Sequence, residues 1–108
     1  MPAAVDSLSA LAQETRLSIF RLLVQNAPSG LPAGDIARRL RLPAPTLSFH
    51  LNVLAAAELI RPRKNGRSIT YSANFDAINR LTGYLLENCC GGRDCSPQPV
   101  QFSKGERR

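Results

Sequence analysis

Cys89, Cys90 and Cys95 carry the most distinctive chemistry in the chain, since these are all of its cysteines and they fall within seven positions near the C-terminus. They are too close in sequence to staple a fold, which suits them to be ligands or reactive thiols. Adjacent cysteines across a trans peptide have Cα atoms about 3.8 Å apart, below the roughly 4.4–6.8 Å of ordinary disulfides, so a Cys89–Cys90 bridge would be strained. Binding one large soft atom avoids that strain. Gly91-Gly92 lets the chain turn so that Cys95 returns to the same spot. Soft thiolates favour thiophilic centres, among them trivalent arsenic and antimony, Cu(I), Cd and Zn. Three thiolates leave As(III) neutral and pyramidal, whereas Zn(II) would keep a negative charge and lack the fourth ligand of a structural site. The count therefore favours a trivalent metalloid, and a methylated trivalent arsenical would need only two of the sulfurs. Two other readings stand beside this one. The cysteines are free thiols on a frayed end, or Cys95 pairs with Cys89 or Cys90 on oxidation, with Arg93 favouring the thiolate.

A second constellation combines polar, aromatic and basic residues. From about Pro45 to Ala57 the pattern predicts a helix, with Pro45 at its first position, where the missing N–H costs nothing. At about 100° per residue Leu51 and Leu54 fall within about 40° of Leu47 and make an inward stripe. Pro45, Phe49 and Asn52 point the other way, Thr46 and Ser48 flank them, and His50 lies on the border. An outward Phe49 is costly on an ordinary surface, but in a DNA groove it packs on a thymine methyl while Thr46, Ser48 and Asn52 reach base edges or phosphates. His50 joins this face as a base or phosphate contact or stays a boundary histidine. Further on, Arg61, Arg63, Lys64 and Arg67 surround Asn65-Gly66, a hairpin signal between two β-favouring segments. Such a cluster suits phosphate contact or insertion into a minor groove, where a plain solvated hairpin tip would need no such concentration.

The remaining elements must position these groups. Val5 to Gln25 shows helical spacing in Leu8, Leu11 and Ala12, then in Leu17, Phe20, Leu23 and Val24, with Thr15 as cap of a second helix. Pro28-Ser29-Gly30 is a loop. Leu31 to Leu40 reads as a short helix with Ile36, Ala37 and Leu40 inward and Arg38, Arg39 and Arg41 at its polar end. Asn74 caps a last helix, with Ile78, Leu81, Leu85 and Leu86 on one side and Gly91-Gly92 at its end. Cys89 would extend its apolar stripe. The order is mainly α with a small β-hairpin, the plan of a winged helix-turn-helix. Residues 1–92 would form the DNA-binding and dimerisation domain, and 93–108 a flexible tail carrying Cys95.

With 108 residues, 44% hydrophobic and 20% charged, the chain holds one small globular domain. A formal net charge of +6 attracts polyanions. No run approaches the roughly 18 apolar residues that span a bilayer, so no membrane partner is expected. Met1–Ala12 lacks the form of a secretory signal, which reads as cytoplasmic. Catalysis would need a pocket with a base, and the one histidine lies at the DNA face, so no enzyme is expected. One helix in one groove reads only a few base pairs, whereas a homodimer reads an inverted repeat. Leu8, Leu11, Ile78, Leu81 and Leu85 are the apolar positions suited to that dimer interface.

The stretches LAQETRLSIFRLL, LPAGDIARRLRLPAPTLSFHLNVLAAAELI and RKNGRSITYS resemble the second helix, helix-turn-helix and wing of the ArsR/SmtB repressors, over about residues 5 to 90. The resemblance implies a homodimeric repressor that leaves its double-stranded operator when an inducer binds. The branch with cysteines on the helix before the recognition helix does not fit, because this chain has Pro32-Ala33-Gly34-Asp35-Ile36 there. The zinc-type site on the last helix does not fit either, since that helix has Asp76 and Glu87 but no His. Cys89, Cys90 and Cys95 look like the C-terminal three-cysteine site of an arsenic-sensing branch. The implied inducer is As(III) or a methylated trivalent arsenical, antimonite also fits, and no organic cofactor is implied. Closing the cysteine loop would then shift the two recognition helices. The other functional classes are a thiol-redox-responsive repressor, a thiol metalloid carrier that binds no DNA, and a constitutive DNA-binding module.

Overall fold

The computed structural model describes residues 2–88. Its order is α1 (Pro2–Leu11), α2 (Glu14–Gln25), β1 (Leu31–Pro32), α3 (Ala33–Leu40), α4 (Ala44–Ala56), β2 (Ile60–Asn65), β3 (Ser68–Ala73) and α5 (Phe75–Leu85). Cys89, Cys90 and Cys95, Gly91-Gly92 and the segment 93–108 lie outside the described residues.

The core gathers on the inner faces of α2, α3 and α4 and under the sheet, with Ile19, Leu23, Ile36, Leu54, Leu59 and Ile60 sealed from solvent. Each such side chain contributes roughly 1.5–3 kcal/mol through burial. Leu47, Leu51 and Leu54 form the inward stripe of α4 as their spacing predicts. Leu17 departs from its expected side and faces outward, because Ile19, Phe20 and Leu23 take the buried face of α2. That helix begins earlier than expected. Gln13, in extended backbone, accepts from the Arg16 N–H at 2.8 Å and does the capping expected of Thr15.

The expected two-stranded hairpin is the larger part of a three-stranded antiparallel sheet in the order β1-β3-β2. The third strand is Leu31–Pro32, where the sequence pattern predicts the start of a helix, and it pairs with Tyr71 and Thr70. Gly30 makes that approach feasible: at φ 80 a Cβ there would stand 2.2 Å from the Tyr71 carbonyl oxygen. Pro62 is tolerated because β2 is an edge strand. The wing turns at Gly66-Arg67 rather than Asn65-Gly66, since Asn65 still pairs with Ser68. Gly66, at φ 65, takes the first loop position, where a two-residue hairpin of the II′ kind places glycine.

Both helices of the helix-turn-helix end by the same device. Arg41 and Glu58 take left-handed backbone at φ 57 and 63. The next residue, Leu42 or Leu59, then folds back and its N–H reaches Ala37 or Leu54 oxygen at 3.0 Å. Asn74 caps α5 as predicted, its Oδ1 accepting from the Ala77 N–H at 3.4 Å. The far end of α5 corrects the sequence reading, because the helix closes at Leu85 rather than at Gly91-Gly92. Thr82 and Gly83 are weak helix formers, the Glu87 N–H bonds to Tyr84 oxygen three residues back, and Asn88 turns left-handed. Cys89, expected to extend the apolar stripe of this helix, lies outside the described residues.

Candidate nucleic-acid interface

Burial of Leu47, Leu51 and Leu54 forces the opposite side of α4 into solvent. Pro45, Thr46, Ser48, Phe49 and Asn52 all stand exposed there, Phe49 at 60%. The thirteen-residue helix is about 20 Å long, enough to lie in a major groove and present several of these side chains to base edges.

His50 corrects the sequence reading. It is turned inward and only 9% exposed, and its Nδ1 lies 3.3 Å from Arg16 Nη1 on α2. Burial and the neighbouring Arg16 charge lower its pKa from the ordinary 6.5. Its ring meets Phe49 edge to face at a centroid distance of 5.4 Å. His50 therefore packs behind the exposed face, between Arg16 and Phe49. Sequence periodicity put it on a boundary and had no means of finding Arg16, which comes from a helix 34 residues away.

The wing brings Arg63, Lys64 and Arg67 into solvent beside Arg61. Among the described residues the ion pairs are Arg38–Asp35 and Arg61–Asp76, the latter at 3.5 Å, so Arg63, Lys64 and Arg67 face no acid. Arg39 and Arg41 add exposed charge at the turn between α3 and α4. The outward side of α4 and the wing thus present polar and basic side chains of the kind that suit a phosphate backbone.

Apolar side chains are also exposed on the first and last helices. Val5 and Leu8 on α1, Tyr84 and Leu85 on α5, and Leu86 just beyond it are exposed. Of the positions expected at a dimer interface, Leu8 and Leu85 are therefore free to meet a partner. Leu11 and Ile78 instead pack against the core, and Leu81, 7% exposed, is buried in its own domain. These three make intrachain contacts, and Val5, Tyr84 and Leu86 add further exposed apolar surface. A cleft of about 310 Å³ lies between α1, α5 and the end of α4, edged by Asp6, Glu58, Arg80 and Tyr84. Among the described residues no group of three His, Cys, Asp or Glu side chains is placed to hold a metal. No described helix is long and apolar enough to cross a membrane.

One residue ties the start of α5 to the segment that follows α4. Asn74, at the start of α5, donates through Nδ2 to the Glu58 carbonyl at 2.7 Å, and its backbone N–H reaches Leu59 oxygen at 2.9 Å. Both acceptors immediately follow α4. Asp76, in the first turn of α5, pairs with Arg61 of β2.

Comparison with known proteins agrees with this geometry. A family model described as a helix-turn-helix domain matches residues 11–63. The chain is 35% identical over 77 residues to the transcriptional repressor SdpR of Bacillus subtilis (strain 168), covering 71% of this chain and 82% of that one. It is 32% identical over 78 residues to the arsenical resistance operon repressor of Staphylococcus xylosus, covering 72% of each. An ArsR-like transcriptional regulator from Rhodococcus sp. RHA1 superposes with a TM-score of 0.71 at 28% identity, covering 84% of this chain and 82% of that one. These relatives are regulators of transcription rather than enzymes. With the helix-turn-helix, the basic wing and these likenesses in agreement, the chain belongs to the ArsR family of winged helix-turn-helix transcriptional regulators.

Proposed function

We propose that the chain works as a homodimeric repressor, held on an inverted-repeat operator and released when trivalent arsenic binds Cys89, Cys90 and Cys95. The observation that carries the DNA part is the exposed Pro45, Thr46, Ser48, Phe49 and Asn52 face beside Arg63, Lys64 and Arg67. The dimer part draws support from the apolar surface of Val5, Leu8, Tyr84, Leu85 and Leu86, which a second copy would cover. Residues 1–92 are then the DNA-binding and dimerisation unit, and 93–108 the segment that brings Cys95.

The inducer part rests on the soft-ligand chemistry of three thiols, on their place directly after α5, and on the likeness to an arsenical resistance repressor. Arsenous acid would exchange its three hydroxyls for the sulfurs of three thiols, whose protons leave with the hydroxyls as three waters. Antimonite would follow the same stoichiometry, and a methylated trivalent arsenical would use two sulfurs. Strain at the end of α5 would pass along that helix to Asn74 and Asp76, which grip the end of α4 and the wing.

A coupling of about 1–3 kcal/mol lowers operator affinity roughly 5–150-fold. Fluorescence anisotropy on an operator duplex, titrated with arsenite and with methylarsenite, measures it. Cys89→Ser and Cys90→Ser are expected to abolish both responses, and Cys95→Ser to abolish the response to arsenite while sparing that to methylarsenite. Wild-type affinity that ignores both arsenicals would refute the inducer assignment and leave DNA binding intact.

A further inference from the structure

Behind the recognition face a chain of contacts runs from α1 to Phe49. The Ala10 carbonyl, in the last turn of α1 where intrahelical partners run out, accepts from Arg16 Nε at 2.7 Å. The same guanidinium reaches His50 Nδ1 at 3.3 Å, and the His50 ring meets Phe49 at 64° between planes. Arginine has only donors, so His50 must accept at Nδ1, and its proton must sit on Nε2 of a neutral ring. A second proton on His50 would remove the acceptor and set two cations against each other.

From this geometry we infer that Arg16 and His50 are positioning residues that hold the inward side of α4 against α1 and α2 with Phe49 turned outward, and that protonation of His50 releases this hold and weakens DNA binding in acid. The inference rests on the DNA-binding reading of α4. The surroundings of His50 agree with it. From α2 the charge acting on the ring is Arg16, which, with burial, already disfavours the imidazolium. On α1, Asp6 lines the cleft beside Ala56 and Ala57 at the C-terminal end of α4. On α3, Asp35 is engaged with Arg38, and Arg39 is exposed. From β2, Arg61, Arg63 and Lys64 are exposed cations. No carboxylate among these is paired with the ring to stabilise its charged form. His50 is also the chain's one histidine, so no other imidazole titrates near neutrality.

The sign follows from linkage. With His50 held below its ordinary pKa of 6.5 in the docked arrangement, the docked form dominates above that pH, and acid favours the released form, which takes up the proton. One proton sets a ceiling of about tenfold per pH unit.

The test uses a duplex enriched by the full wild-type chain from a random-sequence pool at pH 7.5. Anisotropy and circular dichroism are then followed from pH 7.5 to 5.5 at fixed salt and with reductant present. The expected result is a several-fold loss of affinity below pH 6.5 with helical signal unchanged. His50→Asn, whose amide oxygen takes the place of Nδ1 and carries no titrating proton, should lose the acid response whatever its affinity at pH 7.5. An independent readout needs no variant: the lone imidazole resonance should titrate at lower pH when DNA is bound, whereas the phosphate field by itself would raise it. A flat wild-type profile, equal acid loss in His50→Asn, or a midpoint unmoved or raised by DNA overturns the inference. Failure of the wild-type chain to bind any DNA at pH 7.5 overturns the DNA-binding reading as well.

Discussion

Replacing Arg63, Lys64 and Arg67 together by alanine is expected to weaken DNA binding on the order of a hundredfold per protomer at moderate salt, and to flatten its salt dependence. Each cation placed on a phosphate releases condensed counterion, contributing about 0.9 to the slope of log affinity against log salt. Three lost contacts lower that slope by about 3 for each bound protomer. These side chains are chosen because they are exposed and face no acid among the described residues, so their removal leaves the core untouched. Arg61 is left in place, since it is held by Asp76. Affinities measured across a range of salt give the slope directly. An unchanged slope would mean that the wing stands away from the duplex.

Leu54→Ala should cost about 2–5 kcal/mol, the usual range for emptying a sealed leucine site. Small domains hold only about 5–15 kcal/mol in total, so this is a large fraction of the stability. Leu54 is fully buried, and its carbonyl also receives the Leu59 N–H that closes α4. The same residue thus anchors the recognition helix to the core and sets the turn into the wing. Urea unfolding of the variant should show a lower midpoint with an unchanged slope. A loss below about 1 kcal/mol would mean that the site collapses around the smaller side chain and that α4 is held chiefly by other contacts.

The parts of the molecule legible in the sequence are those set by short-range periodicity. The stripe of Leu47, Leu51 and Leu54 predicts the outward face of α4, and Asn74 marks the start of α5. What escaped depends on partners distant in sequence. His50 sits at the border of a helical wheel, and only the fold reveals that Arg16 draws it inward. Leu31–Pro32 is too short to read as a strand and exists through pairing with β3. Leu81 has the spacing of an interface residue, but an intrachain stripe and a seam between subunits share that spacing, and here the core takes it. The left-handed ends at Arg41 and Glu58 lack the glycine that would announce them. The end of α5 is hidden in sequence because Gly91-Gly92 is the stronger stop signal there, while in the folded chain the helix closes at Leu85.

The central claim is that the exposed face of α4 reads base sequence. Its most direct measurement is the ratio of affinities for an enriched duplex and a scrambled one, compared between the wild-type chain and a Phe49→Ala, Asn52→Ala double variant. Each lost base contact is worth about 1–3 kcal/mol of discrimination, so the ratio should fall by on the order of tenfold or more while affinity for the scrambled duplex stays close to that of the wild type. A ratio that survives both substitutions would contradict the assignment of this face to base recognition.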